Sequence, residues 1–241
     1  MGIFNLDGPF YRFGNAMADI MILSLLWILF SIPLFTIGAS TTAMFYVTTR
    51  RISNREGYLL RDFFSSFKAN FKMATLLWLL WVAMAGLIFF NLRILGEIEF
   101  DPLLATILFP VQVIILVELF VTSLYLFPLM ARFDMTMRQT VKSAFFMANR
   151  HLLTTFSAVA TAVAIVFAAA MWFEPILLVG MGLYAYATSY MFMNVFKKYR
   201  PEIDAEDLGL EPLPMLNLDE VLEEAEEEQA EGSDEESDNA S

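Results

Sequence analysis

Long stretches without charge dominate the pattern of this chain. No charged residue occurs between Asp19 and Arg50, from Met73 to Leu92, from Leu152 to Phe173 or from Ile176 to Phe196, and the stretch from Pro102 to Ala131 carries one, Glu118. A bilayer core about 30 Å thick is crossed by roughly 20 apolar residues of helix, so each run is long enough to span. Lipid solvates no backbone groups, which excludes open strands and leaves helices. The pattern therefore predicts an all-α, polytopic transmembrane helical bundle of about five spans, near 20–46, 73–92, 103–131, 152–173 and 176–196, in a domain covering residues 1–200. Residues 201–241 are read as an acidic, largely disordered C-terminal tail. The first run is about twice as long as a signal-peptide core and is followed by a basic loop, so it is expected to stay in the mature protein.

Lys and Arg set the expected orientation. Six lie between Arg50 and Lys72, four between Arg132 and His151 and three just after the last run, while the opposite side holds Arg12 and Arg93. Basic residues stay on the cytoplasmic side, which predicts an N-out, C-in chain. The first run is 30 residues long and carries Pro33 and Gly38 at its middle, in Ser31-Ile-Pro-Leu-Phe-Thr-Ile-Gly-Ala-Ser-Thr-Thr-Ala43. The simplest reading is one kinked, tilted helix. A broken helix lining a polar cavity and a re-entrant hairpin with its N-terminus inside are the alternatives.

The opening Leu6-Asp-Gly-Pro-Phe-Tyr-Arg-Phe-Gly-Asn15, the stretch Ile32 to Ala43 and Phe127-Pro-Leu-Met-Ala-Arg-Phe133 together resemble the YesL-like family, small integral membrane proteins of Gram-positive bacteria of unknown function. The resemblance covers about residues 1–200, and the acidic tail departs from it. It implies a setting near carbohydrate uptake and polysaccharide degradation and supplies no site residues.

Composition narrows the chemistry. The chain has 241 residues, 58% of them hydrophobic and 17% charged, with no Cys and one His. That removes disulfides, thiolate metal sites and Cys nucleophiles, and neither a metal, a cofactor nor an enzymatic activity is expected. The net charge of −12 is an average of unlike parts, because 17 of the 27 acidic residues follow Arg200 and the first 200 residues carry a net +5.

Glu118 is the sharpest single candidate, since a carboxylate within a span is costly unless paired or protonated. Thr122 and Tyr125 follow at i+4 and i+7 on a similar face. With Pro33, Thr36 and Gly38 they form a candidate intramembrane polar site, either ion-coupling or structural. A second candidate is a partner or lipid surface formed by Arg55, Arg61 and Lys68 with Arg138 and Lys142, on two amphipathic stretches, 59–71 and 133–149. The tail reads as a short helix over 216–229, capped by Asn217, within a solvated segment. The function expected is a non-enzymatic accessory membrane protein, tied to carbohydrate uptake or its regulation by the resemblance and docking partners through cytoplasmic loops. A small transporter or channel using Glu118 and the broken first helix is the alternative. Expected partners are membrane lipids, a carbohydrate transporter or signalling protein, or a second copy of the chain, and not nucleic acid.

Overall fold

The computed structural model describes residues 9–53, 58–97, 102–171 and 176–199. It is helical throughout, with no strand among the described residues. Among the described residues seven α-helices follow one another: α1 (Pro9–Ser31), α2 (Ile37–Ile52), α3 (Leu59–Glu97), α4 (Pro102–Arg132), α5 (Met137–Arg150), α6 (Leu152–Met171) and α7 (Ile176–Phe196). Among the described residues four segments are long and apolar enough to cross a membrane, Gly14–Ser31, Leu59–Ile94, Thr106–Arg132 and Leu152–Met171, which marks a multi-pass membrane protein. The 21-residue α7 has spanning length as well, so the helical bundle of about five spans matches the sequence expectation. The described residues up to Val195 belong to one unit and those from Phe196 to a second, in which the Tyr199 amide donates to the Phe196 carbonyl at 3.0 Å. The acidic tail, its helix over 216–229 and the Glu174-Pro175 turn lie outside the described residues.

The first run departs from a single kinked helix. Pro33 disfavours helical backbone at Ile32, and α1 ends at Ser31. A 3-10 turn over Leu34–Thr36 follows, with Pro33 extended at φ −75° and ψ 102°. The Thr36 hydroxyl donates to the carbonyl of Phe30, which the break frees, and to that of Pro33, which also accepts the Thr36 amide at 2.8 Å. The chain then reverses. Ser31 Oγ and Ser40 Oγ share a hydrogen bond of 2.7 Å, Trp27 Nε1 donates to Thr41 Oγ1 at 3.0 Å, and Arg51 Nε meets Asp19 Oδ2 at 3.1 Å. These pairs converge from both ends toward the turn, so α1 and α2 form an antiparallel hairpin. In an unbroken helix Asp19 and Arg51 would stand about 48 Å apart.

This hairpin also corrects the sidedness of the N-terminus. The start of α1 lies at the same end as Arg50 and Arg51, so an N-out start is incompatible with a cytoplasmic Arg50 loop. α2 adds a return pass to the five spans, which leaves both ends of the bundle on one side. α7 runs alongside α2, with Thr48 Oγ1 2.9 Å from Ser189 Oγ and Ser53 Oγ 3.9 Å from Met193 Sδ, so its C-terminal end lies there too. Arg12 thereby joins the basic side and Arg93 stands opposite, which sharpens the charge asymmetry rather than weakening it.

The core is built around α2, where Gly38–Phe45 and Val47–Thr49 are buried. It packs along the first half of α3, tied by Arg50 Nη1 to Asp62 Oδ1 at 3.3 Å and by Trp78 Nε1 to the Leu34 carbonyl at 2.8 Å. Glycine is required at two crossings. A Cβ on Gly38 would stand 2.5 Å from the Ala74 carbonyl oxygen and 2.8 Å from Trp78 Cβ, and one on Gly182 of α7 would stand 2.5 Å from the Ile20 carbonyl oxygen. Close backbone approach is how membrane helices gain dispersion energy when lipid is as apolar as the side chains. The buried hydroxyls of α2 are satisfied within the protein: Thr42, Thr48 and Thr49 each donate to the carbonyl four residues back.

The two amphipathic stretches are both helical. The first leads unbroken into the second span as one helix, α3, about 58 Å long, and its Leu59, Phe63 and Ser66 are buried against the protein. The second amphipathic stretch becomes α5, opened by a capping box in which Thr136 and Gln139 bond reciprocally. Its Thr140, Ala144, Met147 and Ala148 are buried.

Candidate functional site

Glu118 is half-buried on α4, at a groove between α3, α4 and α5. Two side chains donate to its Oε1, Asn149 Nδ2 at 2.7 Å and Thr122 Oγ1 at 3.3 Å. Asn149 also donates to the Phe145 carbonyl at 3.0 Å, which fixes the amide at the end of α5. The groove has a volume of about 730 Å3, and its walls are apolar apart from Glu118, Thr122 and Lys142. Asn149 is the partner that the sequence reading missed. Its spacing of 31 residues from Glu118 carries no periodic signal, and only the return of α5 onto α4 brings the two together.

Tyr125 belongs elsewhere. It is fully buried, its hydroxyl 3.0 Å from Thr155 Oγ1 on α6 and its ring 4.9 Å from that of Phe192 on α7. The expected stripe of Glu118, Thr122 and Tyr125 therefore divides, the first two on the groove and the third in the core between α4, α6 and α7. Pro33, Thr36 and Gly38 form no common site with Glu118. Thr36 is spent on the hairpin turn, Gly38 on packing against Ala74, Trp78 and Phe127, and Pro33 is exposed. The hydroxyls around the break face their own backbone and one another, as in Ser40 donating to the Thr36 carbonyl at 3.1 Å.

Of the basic candidates, Arg61, Lys68, Arg138 and Lys142 are exposed, and Arg55 lies outside the described residues. Arg61 and Lys68 share the start of α3 with outward-facing Leu60, next to exposed Tyr58, while Phe63, Phe64 and Phe67 of the same segment pack with Phe30 of α1 at 5.8, 5.2 and 5.1 Å between rings. This segment is two-faced, one side holding the hairpin and the other presenting apolar side chains and cations outward.

Residues 20–92, from the hairpin through most of α3, match the family described as "Protein of unknown function, DUF624". Over 130 residues the chain is 31% identical to "Uncharacterized protein YesL" of Bacillus subtilis (strain 168), covering 52% of this chain and 60% of that protein. No solved structure matches significantly. The family match coincides with the part of the molecule in which α2 is enclosed, and over these segments the chain is similar to proteins whose function is uncharacterised.

Proposed function

We propose that this protein is a non-enzymatic accessory protein of the cell membrane that docks on another membrane protein through the exposed face at the start of α3. The observation that carries the reading is the two-faced segment there. Tyr58 is 78% exposed and Leu60 53%, and they stand with Arg61 and Lys68 at the start of a helix whose other face is already used. Aromatic residues and Arg are the side chains that most often anchor protein interfaces. The resemblance to the YesL-like family directs the search for that partner to carbohydrate uptake and its regulation. A transporter built on Glu118 and the broken first helix finds less support, because Glu118 and the hairpin turn engage different neighbours and the turn closes on its own carbonyls.

The test is cross-linking and co-purification from native membranes, comparing wild type with an Arg61→Glu, Lys68→Glu variant. A stoichiometric membrane partner recovered with wild type and lost with the variant, at equal expression, is the expected result. Solute movement by the purified protein alone in vesicles, abolished by Glu118→Gln, would refute the docking role and favour a small transporter or channel.

A further inference from the structure

The groove between α3, α4 and α5 carries two opposite charges on an otherwise apolar wall. Glu118 and Lys142 both line it, yet among the described residues no ion pair joins them. Its volume of about 730 Å3 and its lining, apolar with a few placed polar groups, are those of small-ligand sites. The carboxylate is pre-organised as well: Thr122 and Asn149 both donate to Oε1, so Oε2 remains to accept from an occupant. A ligand that satisfies this groove has an N–H cation for Glu118, an anion for Lys142, and a hydrocarbon chain for Ile114, Ile115, Phe145 and Phe146.

We propose that this groove binds one zwitterionic aminophospholipid of the phosphatidylethanolamine type, its ammonium on Glu118, its phosphate on Lys142 and an acyl chain along α4 and α5. Charge complementarity selects among lipids. A phosphatidylglycerol offers Lys142 the same phosphate but gives Glu118 no cation. A phosphatidylcholine has the right charges but no N–H for the carboxylate to accept, and charge-assisted hydrogen bonds are the stronger kind. The site is independent of the proposed docking face, since neither Arg61 nor Lys68 lines it.

The experiment uses the full chain, purified in mild detergent and equilibrated with equal amounts of phosphatidylethanolamine, phosphatidylglycerol and phosphatidylcholine bearing the same chains. Lipid retained after gel filtration is then counted per chain by native mass spectrometry. One phosphatidylethanolamine per chain, retained at least fivefold over the other two, is expected. Glu118→Gln should abolish the preference over phosphatidylcholine without changing the melting curve, and Lys142→Gln should weaken retention of phosphatidylethanolamine and phosphatidylglycerol alike. Lys142 is exposed, so its variant keeps the test open if Glu118→Gln does not fold. Preference for phosphatidylglycerol, a phosphatidylethanolamine preference that survives in a folded Glu118→Gln, or retention of no lipid would each overturn the proposal.

Discussion

Gly38→Ala adds one methyl group at the tightest point of the core, and the structure states what that methyl meets. The new Cβ would stand 2.5 Å from the Ala74 carbonyl oxygen, 2.8 Å from Trp78 Cβ and 3.0 Å from Phe127 Cε1. Ordinary contact begins near 3.4 Å, so α2 has to retreat from α3 by about 0.9 Å. The first obstacle is backbone and the second a Cβ, so no rotamer change relieves either. Retreat is opposed by the Trp78 bond to Leu34 and by the packing of Phe45 against Tyr184 and Phe192. Overpacking of this kind costs about 1–3 kcal/mol. Gly86→Ala, further along α3, is the control: nothing lies within 4 Å of its added Cβ, and removing a helical glycine stabilises by up to about 1 kcal/mol. Unfolding by SDS in mixed micelles, read by tryptophan fluorescence, compares the two, with the Trp78–Trp81 stack lying beside the perturbed crossing. Gly38→Ala should unfold at a clearly lower SDS fraction than wild type and Gly86→Ala at an equal or higher one. Equal unfolding of the two variants would refute the close approach of α2 and α3.

Two further outcomes test the hairpin. With no native Cys, a Ser31→Cys, Ser40→Cys chain should form an intramolecular disulfide under mild oxidation, because the two hydroxyl oxygens are 2.7 Å apart; in a continuous helix these positions are about 13 Å apart and free thiols would persist on non-reducing mass analysis. The ion pair closing the other end has side chains 35% and 23% exposed, so Asp19→Arg or Arg51→Asp alone should cost between the roughly 1 kcal/mol of an exposed pair and the roughly 3 kcal/mol of a buried one. The double reversal should recover most of the melting temperature, and failure to recover any would sink the pairing.

The helices were legible because lipid leaves the backbone no alternative and charge-free runs mark where it applies. The path of the first run was not, because its determinants act at a distance. Proline at position 33 announces a break but not an angle; the angle follows from Thr36 bonding to the carbonyls of Phe30 and Pro33 and from Trp78, 44 residues on, taking the Leu34 carbonyl. In the sequence Asp19 and Arg50 border the first charge-free run. They are the two acidic and basic shoulders of a folded one, with Arg51 reaching back to Asp19 and Arg50 reaching forward to Asp62.

The same distinction explains the candidate site. That Glu118 needs a partner follows from elementary electrostatics, and Thr122 one turn away was within reach of helical spacing. Asn149 was not, since its approach depends on α5 folding back along α4 instead of lying apart on a membrane surface. Tyr125 shows the opposite failure: spacing places it near the face of Glu118, but a large side chain goes where a cavity accepts it, and Thr155 and Phe192 supply that place. Helical periodicity thus sorts residues by direction from one axis and is silent about which neighbouring helix stands in that direction. In this molecule the hydroxyl-rich α2 fills that role at the centre. Its polar side chains bond to its own carbonyls and to Ser31 and Ser189, so hydroxyls that suggest a solute path in the sequence become internal fastenings in the fold.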